Sequence, residues 1–223
     1  MIFLEQNIKG LCAKHGIDFN EFMSDFDVDT VTELSIIDLE SICDEYEIDL
    51  QVLLFSPIFD IPHISSQLKN IKLLILDVDG VMTDGGMFYT ENGDQMKKFN
   101  AKDGMGIMNL MKKGVKVGII SSGFYGEMIK KRAEILGIEL CHIGREPKIE
   151  ILGAWCENLG FSLNEVAMIG DDTNDLAVMK AIGFSACPSD AVKEIKMQVN
   201  LILTKKGGKG CVRELTEYLM IAD

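Results

Sequence analysis

The fold of this chain is decided by the stretch LLILDVDGVMTDG at residues 73–85. Its four leading apolar residues are typical of a strand in a parallel sheet that is buried on both faces. Asp77 and Asp79 follow at once, and ligands of open α/β sheets bind beyond the carboxyl ends of the strands. If the backbone stays extended past Asp77, both carboxylates leave the same side of the chain. The stretch alone is equally typical of a strand that ends in a solvated, acidic turn.

The spacing of these two acids favours a metal ion of a particular kind. Two carboxylates and the carbonyl of the peptide between them are hard oxygen ligands, which suit Mg²⁺. A second acidic cluster, GDDTND at residues 170–175, follows another apolar run at 166–169. Parallel strands end at the same edge of a sheet, so we expect the two clusters to meet there.

A third strand is predicted at residues 115–120, and it runs into Ser121 and Ser122. A hydroxyl beside the free N–H groups of a following helix can hold a phosphoryl oxygen. The alternative is a serine that simply caps that helix. Ser121 is the better candidate for the phosphate and Ser122 the second choice.

Four separated motifs in this order resemble the haloacid dehalogenase (HAD) superfamily of phosphohydrolases. The resemblance is to its small capless branch, which includes 3-deoxy-D-manno-octulosonate (KDO) 8-phosphate phosphatases and the acylneuraminate and KDN 9-phosphate phosphatases. It covers about residues 68–222. The motifs are DVDGVMTDG at 77–85, FNAKDGMGI at 99–107, GDDTND at 170–175 and GGKGCVRE at 207–214.

The resemblance implies a fold and a reaction. The fold is α/β, with a doubly wound, Rossmann-like parallel sheet and a β-hairpin in place of a cap domain, preceded here by a small all-α domain. The reaction is Mg²⁺-dependent hydrolysis of a phosphorylated 2-keto-3-deoxy sugar acid, as in lipopolysaccharide or sialic acid biosynthesis. Asp77 is then the nucleophile, Asp79 the general acid and base, and Ser121 and Lys148 hold the transferring phosphoryl group.

The remaining site residues are also carried over from this resemblance. The metal ligands are Asp77, Asp171 and, through its backbone carbonyl, Asp79. The supporting acids are Asp172 and Asp175. The residues expected to contact substrate are Ser122, Gly123, Lys102, Asp103 and Arg213.

One departure from the resembled branch concerns the sugar. KDO 8-phosphate phosphatases tend to have Thr-Gly-Arg after the strand that corresponds to residues 115–120, whereas this chain has Ser-Ser-Gly-Phe-Tyr-Gly at residues 121–126. The arginine that would meet the substrate is missing there. The resemblance therefore leaves the sugar open.

A hairpin is predicted between residues 86 and 99, because two short β-like runs flank Asn92-Gly93. It stands where many superfamily members insert a cap domain. The resembled branch closes its sites by forming a homotetramer, which we expect here. Apolar hairpin side chains, among them Phe88 and Met96, would otherwise face solvent.

The amino-acid composition limits the class of protein that this chain can be. The chain has 223 residues, of which 47% are hydrophobic and 26% charged, as is ordinary for a globular protein. No apolar run approaches the roughly 18 residues that cross a bilayer. The six cysteines show no metal-binding spacing and are expected to be reduced core thiols. With no signal peptide evident at the N-terminus, we expect a cytoplasmic protein without a membrane partner.

The charge divides the chain. Residues 1–62 hold two cations and fourteen carboxylates, a balance of −12, against 20 cations and 21 carboxylates in the rest. We predict an acidic helical domain at 1–60, a linker at 61–70 containing Pro62, and the phosphatase domain at 71–223. Five predicted helices in the first domain resemble a Cro/repressor-type helix-turn-helix.

DNA binding conflicts with the charge of that first domain. The candidate recognition segment, residues 25–33, contains four carboxylates and no cation, whereas a DNA-binding face needs Lys and Arg for the phosphates. We therefore expect a bundle that self-associates or contacts a basic partner, and no nucleic acid. The alternative function is a non-catalytic regulator that combines a HAD fold with this helical module.

Overall fold

The computed structural model describes residues 3–55, 58, 67–92, 95–123 and 126–221. The chain divides into two compact units, Met1–Ile64 and Ser65–Asp223. Pro62 and most of the predicted linker lie outside the described residues. All six cysteines are free, and five of them are buried. No helix within the described ranges is long and apolar enough to cross a membrane.

The first unit is helical in its described part. Its helices are α1 (Leu4–His15), α2 (Phe19–Asp25), α3 (Ile36–Tyr46) and α4 (Leu50–Phe55). Asp18 caps α2, because its carboxylate accepts the N–H groups of Asn20 and Glu21. The side chain of Asn7, fully buried, bonds to Leu53 O at 2.8 Å and ties α1 to α4.

The candidate recognition segment at residues 25–33 does not form a helix of its own. Residues 26–35 make turns instead, with Asp27 at a positive φ of 55°. The Glu33 carboxylate accepts the N–H of Asp29 and the hydroxyl of Thr30, and such local side-chain bonds compete with helix formation. The segment expected to be a recognition helix is therefore a turn.

The second unit is built on a six-stranded parallel sheet in the order β5-β4-β1-β6-β7-β8. This confirms the predicted α/β class. The strands are β1 (Leu73–Leu76), β4 (Lys116–Ser121), β5 (Leu140–Ile143), β6 (Val166–Ile169), β7 (Phe184–Cys187) and β8 (Leu201–Ile202). The helices are α5 (Ala101–Lys112), α6 (Glu127–Leu136), α7 (Lys148–Leu159), α8 (Leu176–Ala181), α9 (Lys193–Lys196) and α10 (Cys211–Ile221).

The centre of this sheet is its most apolar part. Every residue of β1 and of β6 is buried, because these strands have a neighbour on each side and are covered on both faces. The short continuous apolar runs of the sequence therefore correspond to the interior strands, as predicted.

A separate two-stranded hairpin follows β1. Its strands are β2 (Phe88–Tyr89) and β3 (Gln95–Met96), which pair antiparallel. The Gly93 of the predicted turn lies outside the described residues. Met87, Phe88, Tyr89 and Met96 are each more than half exposed in the single chain.

Candidate active site

Three central strands end beside one cavity of about 470 Å³. Asp77 directly follows β1, Ser121 ends β4 and Asp171 follows β6 by two residues. Because β1 lies between β4 and β6, these side chains meet at the carboxyl edge of the sheet. The cavity is lined by Asp77, Asp79, Gly80, Gly85, Met87, Tyr89, Gln95, Lys97, Ser121, Ser122, Gly123, Asp171, Asp172, Thr173 and Asn174.

The backbone between the first two aspartates differs from the prediction. It is extended at Asp77, with φ −73° and ψ 167°, but it then turns over Val78–Met82. Gly80 has a φ of 85°, and a Cβ there would overlap the Asp171 carboxylate. Both Asp77 and Asp79 nevertheless line the cavity, because the turn keeps them at the same end of the sheet.

A buried lysine joins two of the carboxylates. Lys148 is the first residue of α7, and its Nζ lies 2.8 Å from Asp77 Oδ1 and 2.6 Å from Asp175 Oδ1. All three residues are at most 5% exposed. Burial disfavours the ammonium, but the two carboxylates outweigh that effect and raise the pKa of Lys148.

The acids of this cluster bind protons more tightly than ordinary carboxyl groups. Burial, together with the charge of Asp175, raises the pKa of Asp77 to about 6, although Lys148 partly offsets the shift. Burial and the charges of Asp77 and Asp175 raise the pKa of Asp171 to about 8. A site that raises several acid pKa values is electrically suited to a cation.

The geometry of Asp171 supports the same conclusion. Its Oδ1 is buried and has no hydrogen-bond partner, which is costly for a carboxylate oxygen. Carboxylate oxygens of Asp77, Asp171 and Asp175 lie within 4.8 Å of one another. Both oxygens of Asp175 are already used, one by Lys148 and the other by the N–H of Asp171. Asp77 and Asp171 are therefore the side chains that remain available to a divalent cation.

Residues 121–123, the serine segment, line the same cavity as Asp79. Ser121 is 2% exposed, and its Oγ accepts the N–H of Gly123 at 3.2 Å. The Oγ of Ser122 is 3.4 Å from Nδ2 of Asn174. Both serines and Gly123 line the cavity. Ser121 therefore stays a prediction as the phosphate-binding hydroxyl, with Ser122 as the second choice.

The two supporting acids differ in position: Asp172 lines the cavity, whereas Asp175 is buried and does not line it. Asp172 lines the cavity, and its carboxylate accepts the N–H of Thr173 at 2.7 Å, as in a capped turn. Asp175 lies beneath the cavity, fully buried, and holds Lys148 and the backbone of Asp171.

Three residues expected to contact substrate lie outside this cavity. Lys102 is exposed on the first turn of α5. Asp103 is 2% exposed and accepts the backbone N–H of Arg213 at 2.7 Å, at the start of α10. The Arg213 guanidinium instead pairs with Glu217, with Nε 2.6 Å from Oε1. Within one chain, these residues are not brought to the cavity.

The glycine-rich segment before α10 packs against the turn that follows β1. The N–H of Gly208 donates to Val81 O at 2.9 Å, and a Cβ on Gly207 would overlap Gly80 O. This close approach gives a structural reason for the glycines of that motif.

Lys97 is a site residue that the sequence analysis did not identify. It follows β3, its side chain is 5% exposed, and its Nζ forms an ion pair with Asp79 Oδ1. A hairpin pattern predicts pairing but not which of the adjacent lysines, Lys97 or Lys98, turns toward the cavity. Asn174 was also missed, although it belongs to the acidic motif.

Comparison with known proteins agrees with this architecture. Residues 106–183 match the family described as haloacid dehalogenase-like hydrolase. The chain is 35% identical over 161 residues to the 3-deoxy-D-manno-octulosonate 8-phosphate phosphatase of Salmonella typhimurium, covering 72% of this chain and 85% of that protein. The Haemophilus influenzae phosphatase of the same name is 36% identical over 156 residues, covering 70% and 86%.

Solved structures give the same result. The Moraxella catarrhalis 3-deoxy-D-manno-octulosonate 8-phosphate phosphatase, in complex with magnesium ion, phosphate ion and KDO, has a TM-score of 0.70 and 34% identity. That match covers 72% of this chain and 92% of the other. The Yersinia pestis phosphatase has a TM-score of 0.71 and 33% identity, covering 76% and 90%. The chain therefore belongs to the HAD superfamily, as a phosphatase closely related to the 3-deoxy-D-manno-octulosonate 8-phosphate phosphatases.

Proposed function

We propose that this protein is a Mg²⁺-dependent phosphomonoesterase that hydrolyses a phosphorylated 2-keto-3-deoxy sugar acid. The observation that carries the proposal is the convergence of Asp77, Asp79 and Asp171 on one cavity, with Lys148 buried beside Asp77. KDO 8-phosphate is the first candidate substrate, because relatives that cover most of this chain are phosphatases of that ester. A nonulosonate 9-phosphate, such as KDN 9-phosphate, is the second.

Magnesium fits the donor set. Asp77 and Asp171 would hold it by their side chains, and Asp79 by its backbone carbonyl, since hard oxygen ligands are what Mg²⁺ prefers. The buried, unpartnered Oδ1 of Asp171 is the feature that most needs such an ion. When bound, the ion supplies positive charge that reduces the repulsion between the Asp77 carboxylate and the phosphate.

The reaction proceeds in two steps at the protein's own side chains. A carboxylate oxygen of Asp77 attacks phosphorus and forms an aspartyl-phosphate, while Asp79 gives a proton to the leaving sugar oxygen. Asp79 then takes a proton from water as the water attacks phosphorus, and Asp77 is released. Ser121 and Lys148 hold the phosphoryl oxygens throughout by hydrogen bonding and charge.

Substrate contacts divide between one chain and its neighbours. Ser122 and Gly123 line the cavity and are proposed to contact the substrate in the same chain. Lys102 and Arg213 lie elsewhere, and we propose that they act on a neighbouring subunit's site in a homotetramer, while the buried Asp103 carboxylate holds the backbone of Arg213 in place. The exposed apolar side chains of the hairpin support such an assembly, because burial between subunits would remove them from water.

Phosphate release is the measurement that tests the function. Purified protein is assayed with KDO 8-phosphate, KDN 9-phosphate and N-acetylneuraminate 9-phosphate, with Mg²⁺ or with EDTA. We expect the highest kcat/KM for KDO 8-phosphate, the first candidate. We also expect turnover to be lost in EDTA and to recover with Mg²⁺. Asp77→Asn should remove turnover while the fold, followed by circular dichroism, is retained. Turnover by Asp77→Asn, or indifference to chelation, would contradict the mechanism.

The acidic helical unit has a separate role in this proposal. We propose that it self-associates or contacts a basic partner. The turn at residues 26–35, where the helix-turn-helix resemblance requires a recognition helix, supports a role other than DNA binding. A gel-shift assay with genomic fragments separates this role from the regulatory alternative: a specific shift without phosphate release would favour the regulator.

A further inference from the structure

Lys97 is held beside Asp79 by the hairpin rather than by the sheet. It directly follows β3, and its ammonium forms an ion pair with Oδ1 of Asp79. The side chain of Lys97 is 5% exposed and that of Asp79 is 26% exposed, so the pair is largely removed from solvent. A shielded ion pair holds its geometry better than an exposed one, because water screens it less.

The two oxygens of Asp79 have different surroundings. Oδ1 is occupied by Lys97 and also lies 3.4 Å from the Thr83 hydroxyl. Oδ2 is on the side of Gly123, where an added Cβ would lie 4.0 Å from it. Gly123 belongs to the serine segment that lines the cavity. The ion pair therefore leaves Oδ2 as the oxygen that faces the serine segment.

From this geometry we propose that Lys97 is a positioning residue for the acid–base chemistry of Asp79. The inference rests on the proposed phosphatase function and adds a role for the hairpin. Lys97 fixes Oδ1, so that Oδ2 points toward the ester oxygen of the bound substrate. Asp79 acts as the acid with its proton on Oδ2, while Oδ1 still accepts a hydrogen bond from the Lys97 ammonium. As the bond between phosphorus and the ester oxygen breaks, the electron pair stays on that oxygen, which takes the proton from Oδ2.

Proton donation matters in proportion to the basicity of the leaving group. A nitrophenolate leaves readily without a proton, whereas the more basic phenolate gains more from an acid. A residue that positions the acid should therefore affect phenyl phosphate more than p-nitrophenyl phosphate. A residue that only supports the fold, or that only binds phosphate, should affect the two esters equally.

The test uses the full chain with Mg²⁺ and these two esters. We expect Lys97→Met to lower kcat/KM for phenyl phosphate by at least about tenfold and for p-nitrophenyl phosphate by less than about threefold. Lys97→Arg should recover most of the phenyl phosphate activity, because the guanidinium also pairs with a carboxylate. Lys98→Met is the matched control, since Lys98 is the next residue and is exposed, and it should change neither value.

Several outcomes would overturn the proposal. They are an equal loss for both esters, no loss for either, or a loss that appears only as a higher KM for KDO 8-phosphate, whose sugar acid carries a carboxylate and which is assayed beside them. The last result would make Lys97 a ligand of the sugar acid. Wild-type hydrolysis of p-nitrophenyl phosphate, and its loss in Asp77→Asn, tests the proposed function independently of Lys97.

Discussion

The acidic helical unit and the carboxyl edge of the sheet both collect carboxylates, but they stabilise them in opposite forms. In the helical unit, Glu33 is exposed and Asp38 is half-buried, and hydrogen bonds from nearby N–H and hydroxyl groups lower the pKa values of both carboxyl groups. At the sheet edge, burial raises the pKa of Asp77 to about 6 and that of Asp171 to about 8. The number of acids in a segment therefore says little about chemistry, whereas their burial says much.

The first way to test this comparison is to remove the cation from the buried cluster. Lys148→Met leaves Asp77 and Asp175 buried without a counter-charge. We expect kcat to fall on the order of 10²–10³-fold, because a preorganised cation is lost. The free energy of unfolding should fall by about 3–5 kcal/mol, as when one partner of a buried ion pair is removed. Turnover and urea unfolding measure the two effects.

A matched control is the exposed pair of Lys130 and Glu127 on α6, whose side chains are 61% and 90% exposed. Lys130→Met should change the free energy of unfolding by less than about 0.5 kcal/mol and leave kcat unchanged, because water screens the pair. If both substitutions had similar effects, burial would not be what distinguishes the two kinds of carboxylate.

The second test uses Asp171 in metal-free protein. Its folded-state pKa of about 8 lies above the unfolded value of about 4, so the folded state holds a proton that the unfolded state has lost. Stability from this group is therefore complete below about pH 4 and is lost as pH rises toward 8. Asp171→Asn should abolish this pH-dependent loss of stability, because the amide does not ionise. Because Asp171 is partly exposed, we expect a gain of only about 1–2 kcal/mol at pH 7.

Thermal unfolding in EDTA measures this effect. The difference in Tm between Asp171→Asn and the wild type should grow from pH 5 to pH 8. Adding Mg²⁺ should raise the Tm of the wild type but not that of the variant, because the variant lacks the Asp171 carboxylate that would bind the ion in the folded state. A Tm difference that is the same at all pH values would contradict the raised pKa as its cause.

The smallest effect is expected in the helical unit. Ser35 caps α3, with its Oγ accepting the N–H of Asp38 while the Asp38 carboxylate accepts the N–H of Ser35. Ser35→Ala should cost about 1 kcal/mol of unfolding free energy, as for other lost N-caps. Phosphatase turnover should not change. Ser41→Ala, in the middle of the same helix, is the control and should be near neutral. Reduced turnover in Ser35→Ala would couple this unit to the chemistry.

Much of the sheet could be predicted because its strands are short, continuous apolar runs, and interior parallel strands are buried on both faces. Asp77 and Asp171 could be predicted to meet for the same reason, since they follow neighbouring strands. The turn at residues 26–35 could not, because the Glu33 carboxylate accepts the backbone N–H of Asp29 and the hydroxyl of Thr30, and helical periodicity does not show such local bonds.

By itself, the sequence determined the parallel sheet, the acids at its carboxyl edge and the acidic helices before it, because periodicity, strand ends and charge are local properties. Only the tertiary structure decided that Lys148 lies between Asp77 and Asp175, that Lys97 pairs with Asp79, and which carboxylates are buried. Those contacts join residues far apart in the chain, and a pKa depends on the burial and charges around a group in space.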